Sequence, residues 1–423
     1  MNFLEELKWR GMLHNATPGI EKALASGSKN AYIGFDPTAP SLTIGNFVQI
    51  MLLKLFQLSG HKPIVLMGGA TGRVGDPSFK ATERELKTYD ELDANLAHQV
   101  KQFHKFLDFE GENKAEMVNN LDFYKDMNVL AFLRDVGKTI TVNYMLSKES
   151  VKQRRDSGLS FTEFSYQLLQ GYDFQKLYED KGVIMQMGGS DQWGNITTGT
   201  EFIRKNLGGH AFALTTPLLT KADGSKFGKS EAGNIWLDPE KTSPYKFYQF
   251  WLNADDRDLP KFIRYFTLKS REEVEALEAE HATNPNALKR ILAEELTTRV
   301  HSKEAFEAAK LVSELLFNPK ASRETLLHLD EDSLKTVSEE VPSFFVPFEK
   351  IEAGINIIDL LADETDILKS KGDARRAIKG NAIAINKDKI KAHETIIGKE
   401  SLLHGKYIMV ENGKKNKRMV VAG

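Results

Sequence analysis

The sequence predicts an α/β chain: a doubly wound parallel sheet, then a helical domain, then a small α+β domain. Three observations carry that expectation. Residues 31–240 alternate short apolar runs with helical patterns, the texture of successive βα units. From Ser243 the strand signals stop and helical patterns crowd together, among them Ala287–Val300 and Ser302–Phe317. Residues 351–423 then read as two helices followed by short strands around Ala382–Asn386. The boundaries that follow are a Rossmann-like domain over 1–242, a helical domain over 243–330, a polar linker over 331–350 holding Pro342 and Pro347, and a C-terminal domain over 351–423.

Bulk properties agree. At 423 residues the chain exceeds what one hydrophobic core serves, so two or three domains are expected. It is 41% hydrophobic and 27% charged, with no apolar run long enough for a membrane span. The N-terminal Met1-Asn2-Phe3-Leu4-Glu5-Glu6-Leu7 carries acids where a signal peptide needs a basic start. There is no cysteine, which excludes disulfides, thiolate catalysis and cysteine-held zinc, and a cytoplasmic setting is expected. The net charge of −2 hides an asymmetry: residues 351–423 hold 14 Lys+Arg against 10 Asp+Glu, and the other 350 hold 43 against 49. A basic tail domain on an acidic body suits a polyanionic partner.

Taken in order, Ala31–Phe35 reads as a strand leading into the proline-stiffened turn Asp36-Pro37-Thr38-Ala39-Pro40, and Ile44–Leu58 as the next helix. Thr43, Gly45 and Asn46 at its start combine neutral donors with room for close approach, and a helix N-terminus suits a phosphate. Capping by Ser41 or Thr43 explains the same residues. A second strand, Pro63–Met67, opens onto the small-residue loop Gly68–Gly75. There Asp76 can hold an ammonium group, while Lys80 and Arg84, on one face of a helical turn, can grip phosphate. A solvated basic face is the alternative.

The helix over Phe161–Leu177 puts Tyr166, Gln170 and Asp173 on one face, flanked by Phe161, Phe164, Leu168, Leu169 and Phe174, so a polar pocket or a solvated stripe follows. Val183–Met185 begins a strand that ends in Gly188-Gly189, and Ser190, Asp191, Gln192 and Asn195 then crowd polar groups where open α/β sheets bind ligands. Lys226-Phe227-Gly228-Lys229-Ser230 is a glycine-flanked loop able to cover a triphosphate, or simply an exposed basic loop.

In this order the motifs resemble those of the bacterial tyrosyl-tRNA synthetases, class I aminoacyl-tRNA synthetases, over nearly the whole chain. Lys369-Ser370-Lys371-Gly372-Asp373-Ala374-Arg375-Arg376-Ala377-Ile378 and the following Lys379-Gly380-Asn381-Ala382-Ile383 resemble the S4-type RNA-binding module. The resemblance implies that Tyr32 and Asp173 bind the phenol hydroxyl of L-tyrosine. It implies that Asp76, Tyr166 and Gln170 hold the α-ammonium, with Gln192 near the carboxylate. Asp36, Gly45, Gly189 and Asp191 are then expected to meet the adenosine part of ATP, where Lys229 also binds. Thr38, Thr43, Asn46, Lys80, Arg84, Lys226, Lys229 and Ser230 are expected at the phosphates as the catalytic set, and Lys369, Lys371, Arg375, Arg376 and Lys379 at RNA.

The same resemblance implies ATP as substrate, Mg2+ accompanying it without a dedicated protein metal site, tRNA(Tyr) as partner, a homodimer, and neither DNA nor membrane. The chain departs from the family's pattern in two places: Thr43 and Asn46 replace the usual histidines of its helix-start signature. Phe79 also stands where glycine is usual. The alternative reading is accordingly a catalytically weakened, synthetase-like RNA-binding protein. A tryptophanyl-tRNA synthetase is a nearer rival, opposed by the Tyr32/Asp173 pair and the S4-like tail.

Overall fold

The computed structural model describes residues 1–78, 86–152, 158–230, 233–318, 320–413 and 416–423, with the backbone alone for Ser150, Lys229 and Ser230. The chain divides into two compact units, Met1–Thr242 with Ala254–Leu292, and Ser243–Asn253 with Ala293–Gly423.

The first unit is built on a six-stranded sheet. Its parallel strands are β1 (Asn30–Phe35), β2 (Lys62–Met67), β3 (Glu116–Asn119), β4 (Val183–Gly189) and β5 (Phe212–Thr216), and the short Asn15–Ala16 strand closes one edge antiparallel to β5. Across the sheet the order is Asn15–Ala16, β5, β4, β1, β2, β3. The winding therefore reverses between β1 and β4, and a ligand crevice is expected beyond their carboxyl ends.

Helices α1 (Ile44–Leu58), α2 (Tyr89–Phe103), α3 (Phe161–Lys181) and α4 (Trp193–Leu207) provide most of the helical connections. Ten of the fifteen α1 residues are buried, nine of them apolar, and the polar residues Asn46, Gln49, Lys54 and Gln57 are confined to one stripe. Helices α3 and α4 lie unusually close, because a Cβ on Gly171 would stand 2.9 Å from Phe202 and one on Gly199 2.7 Å from Phe174. That approach seats Phe174 edge-on against Tyr32, at 5.3 Å between ring centroids, within a core shared by Ile64, Leu66, Val183 and Ile203.

In the second unit, helix Pro244–Leu252 packs along helix Lys303–Phe317, with Tyr248 edge-on to Phe306 at 5.7 Å and Gln249 Nε2 donating to Ser313 Oγ at 2.9 Å. Its C-terminal part folds a five-stranded sheet over helices Ile357–Ala362 and Lys371–Lys379. Two expectations about boundaries are corrected. Residues 331–350, read from their polarity as a linker, contain helix Glu331–Glu340 and strand Ser343–Val346, which adds in parallel to Asn416–Ala422. Residues 254–292, read as part of the helical domain, belong with the first unit. Phe262 and Phe266 explain this, since they form a ring cluster with Phe47 and Phe227. Among the described residues no helix is long and apolar enough to cross a membrane.

Candidate active site

The carboxyl ends of β1, β2, β3 and β4 deliver polar side chains to one place, and α3 supplies the rest. Tyr32, central in β1, is fully buried, and its hydroxyl has no hydrogen-bond partner among the described residues. Asp36 follows β1 and accepts from the Thr71 hydroxyl at 2.6 Å and the Tyr166 hydroxyl at 2.8 Å. A side chain on Gly68 would strike Asp36 Oδ1 at 2.0 Å, so only glycine lets the β2 loop lie this close.

Helix α3 turns Tyr166, Gln170 and Asp173 inward together, all three buried. Asp173 accepts from Tyr124 Oη at 2.7 Å and from Asn120 Nδ2 at 2.8 Å. Asn120 also donates to Thr71 Oγ1 at 3.0 Å and accepts from the Ala70 amide at 2.7 Å. A continuous network thus runs from Asp173 through Asn120 and Thr71 to Asp36 and Tyr166. Burial pushes the Asp173 carboxyl up to about 7 although both of its donors favour the charged form. Burial likewise raises the Tyr32, Tyr124 and Tyr166 phenols well above their ordinary value, with the nearby carboxylates adding to it.

Gln192, at the 3-10 turn after β4, donates to Asp76 Oδ2 at 2.7 Å and Asp191 Oδ2 at 3.2 Å, while its own carbonyl accepts from Gln170 at 3.4 Å and Asn195 at 3.3 Å. Asp76 is steadied on its other oxygen by the Ser78 amide at 2.9 Å. Burial raises the Asp191 carboxyl, opposed by the Gln192 bond and by the charge of Lys226. A Cβ on Gly189 would meet Asp191 Oδ1 at 2.4 Å, so the bare backbone there gives the carboxylate its place.

Three of the residues expected at the phosphates or ATP stand at the start of α1. Gly45 is exposed there, with Thr43 and Asn46 half-buried beside it. Asn46 Oδ1 accepts both the Thr43 amide, at 2.9 Å, and the Thr43 hydroxyl, at 2.8 Å. The preceding turn is held by three residues spaced along α2: Asn95 donates to Pro37 O at 3.1 Å, Gln99 to Ala39 O at 2.7 Å, and Gln102 to Ser41 Oγ at 2.9 Å. Thr38 in this turn is half-buried, its amide on Asp36 O at 2.8 Å.

The basic loop is rooted against the same helix start. The Ile44 amide donates to Ile235 O at 2.9 Å, Leu237 N to Leu42 O at 2.9 Å, and Ile235 N to Gly228 O at 3.0 Å. Phe227 is buried against Phe262 and Phe266, which leaves Lys226 exposed. The backbone of Lys229–Ser230 pairs with Gly233–Asn234. Lys80 and Arg84 lie outside the described residues.

In the C-terminal part Lys369, Lys371, Arg375, Arg376 and Lys379 are all exposed, on or beside helix Lys371–Lys379. Lys371 is drawn to Asp359 at 2.7 Å and Asp363 at 2.6 Å, and Arg376 to Asp373.

The sequence reading passed over Asn120, Tyr124, Thr71 and the α2 amides. The signal for Asn120 existed, since it directly follows a parallel strand, but Glu116–Asn119 is short and polar and does not read as one. Among the described residues no group of three or more His, Cys, Asp or Glu side chains could hold a metal ion.

A doubly wound sheet carrying this crevice matches a known class. Residues 26–318 match the family described as tRNA synthetases class I (W and Y), and the chain belongs to that family. Residues 333–420 match the tyrosine–tRNA ligase SYY-like C-terminal domain. Over their full lengths the chain is 52% identical to the tyrosine–tRNA ligases of Porphyromonas gingivalis and Bacteroides thetaiotaomicron. It is 54% identical to that of Cytophaga hutchinsonii over 98% of both chains. Among solved structures, a C-terminally truncated mitochondrial tyrosyl-tRNA synthetase of Aspergillus nidulans matches with a TM-score of 0.68 at 28% identity, covering 75% of this chain and 94% of that one. The tyrosyl-tRNA synthetase of Archaeoglobus fulgidus, at 19% identity and a TM-score of 0.56, shares the fold over 72% of this chain and 99% of its own.

Proposed function

We infer that this chain is a tyrosine–tRNA ligase. It activates L-tyrosine with ATP, giving tyrosyl-adenylate and pyrophosphate, and then passes the tyrosyl group to the 3′ end of tRNA(Tyr) with release of AMP. The observation that carries this is 52% identity to tyrosine–tRNA ligases along the whole length of both chains. Nothing favours a weakened RNA-binding relative.

In this reading the tyrosine carboxylate attacks the α-phosphate of ATP directly, and no protein nucleophile takes part. Tyr32 and Asp173 receive the phenol hydroxyl, the buried unpaired Tyr32 hydroxyl supporting that role. Asp76, Tyr166 and Gln170 hold the ammonium group and Gln192 lies by the carboxylate; the Gln192–Asp76 bond supports their sharing one substrate end. Asp36, Gly45, Gly189 and Asp191 meet the adenosine part. Thr38, Asn46, Lys80, Arg84, Lys226, Lys229 and Ser230 counter the charge that develops on the phosphates while Thr43 orients Asn46, so catalysis is positioning plus electrostatics. Mg2+ travels with ATP.

The exposed cations of the C-terminal domain take the RNA backbone. A homodimer belongs to the same reading, and exposed Val129, Leu130, Val142 and Phe161, all 60% or more accessible, support it. A cytoplasmic location is supported by the absence of cysteine. Tyrosine-dependent ATP–pyrophosphate exchange followed by charging of tRNA(Tyr) tests the whole; exchange driven by tryptophan instead would overturn it.

A further inference from the structure

Tyr124 lies just after the 3-10 turn Asn120–Phe123, on a different element from Asp173. Its hydroxyl is 2.7 Å from Asp173 Oδ1 and 2.9 Å from the Leu169 carbonyl. A phenol has one proton and cannot donate to both at once. Leu169 O, inside α3, is also the carbonyl to which helical geometry assigns the Asp173 amide, four residues on. The proton is therefore worth most on Asp173 while that carboxylate is charged.

We propose that Tyr124 is a positioning residue for substrate recognition, holding Asp173 as the acceptor that the hydroxyl of bound tyrosine meets. The proposal rests on the assignment of Tyr32 and Asp173 to the tyrosine pocket. With Tyr124 on Oδ1 and Asn120 on Oδ2, each oxygen of the ionised carboxylate keeps a lone pair for a further donor. Once Asp173 is protonated, its own proton can go to Tyr124, whose hydroxyl then turns to Leu169 O. The acceptor for substrate is weakened in that state.

The ionisable groups facing this carboxylate are Tyr32 and Asp36 from β1 and its end, Tyr166 from α3 itself, and Tyr124, with Tyr172 beyond Tyr124. Burial and the Asp36 charge favour the protonated form, whereas Tyr124 and Asn120 oppose it. Removing the Tyr124 hydroxyl shifts the balance toward protonation.

The test is ATP–pyrophosphate exchange by the full chain between pH 6 and 8.5, for wild type, Tyr124→Phe, Tyr124→Met and Asp173→Asn. Tyr124→Phe should raise the tyrosine KM by about 3- to 10-fold at pH 7, the size of one hydrogen bond, with little change in kcat. The defect should shrink as pH rises and the carboxylate ionises again. Tyr124→Met, which also lacks the hydroxyl, should reproduce that pH dependence, and it decides the question if the phenylalanine variant does not fold. A Tyr124→Phe profile that superimposes on wild type, or is offset by one factor at every pH, overturns the proposal. If instead Asp173→Asn leaves the tyrosine KM unchanged, the pocket assignment itself is wrong.

Discussion

Thr43 and Asn46 spend polar groups on each other: one oxygen, Asn46 Oδ1, takes both the Thr43 amide and the Thr43 hydroxyl, at 2.9 and 2.8 Å. Where the family's signature usually has two histidines, this chain has a helix cap. The cap is not the end of their chemistry, because among the described residues only the Asn46 carbonyl is used, and its amide retains two protons for a ligand. Thr43, whose single proton already has an acceptor, is better placed to orient Asn46 than to meet phosphate itself. This modifies the expectation that both residues act as independent donors.

Asn46→Ala should therefore lower kcat for adenylate formation by about 10- to 1000-fold, as for loss of a preorganised donor. Asn46→Asp keeps the cap acceptor and loses the donor, so it should be as slow while melting at nearly the wild-type temperature. Thr43→Ala should cost less. Pre-steady-state rates of pyrophosphate release, with tyrosine KM as the control that barely moves, give the ranking.

If Asp173 receives the substrate hydroxyl as proposed, stability and recognition should pull in opposite directions there. Its carboxyl is raised from an ordinary 3.8 to about 7, so between those values the folded chain holds a proton that the unfolded chain has lost. Its contribution to stability is thus fully present below about pH 4 and is lost as pH rises through 7. Asp173→Asn should raise the melting temperature relative to wild type at pH 8 and lose that advantage near pH 4, while abolishing selective use of tyrosine. Calorimetry across this range checks it; a difference independent of pH would contradict it.

The C-terminal cations should matter for RNA alone. Mutating Lys369, Arg375 and Lys379 together to alanine should raise the KM for tRNA and flatten its salt dependence, leaving tyrosine-dependent exchange unchanged. Lys371 and Arg376, already drawn to acids, should each contribute less. Truncation needs care: a cut at 351 would strand Ser343–Val346 without its partner Asn416–Ala422, so a chain ending at 330 is the better test of separable charging and activation.

Much of this was readable in the residues. Ile44–Leu58 announces a helix by its apolar residues on three sides of a polar stripe of Asn46, Gln49, Lys54 and Gln57, and Tyr166, Gln170 and Asp173 announce a shared face by their spacing alone. The failures have physical causes. Glu331–Glu340 read as a linker because a helix covered on one side needs few apolar residues, here Leu334 and Val337, and Ser343–Val346 because four residues between Pro342 and Pro347 are too few to read as a strand. Tyr124 was invisible because its importance lies in reaching Asp173 from a turn some fifty residues away in sequence, and Asn120 because the strand it follows is too short and polar to read as one. Asn95, Gln99 and Gln102 looked like an ordinary polar helix face, yet they hold the turn from Pro37 to Ser41.

In the proposed function the buried pair Tyr32 and Asp173 selects tyrosine by its hydroxyl. A pocket whose polar groups are left unpaired by phenylalanine penalises that substrate, and removing those groups removes the penalty. The direct measurement is the ratio of kcat/KM for tyrosine over phenylalanine in ATP–pyrophosphate exchange, for wild type, Tyr32→Phe and Asp173→Ala. The ratio should fall about 10-fold or more in each variant, mostly through loss of tyrosine use. A ratio unchanged from wild type in both would contradict the account.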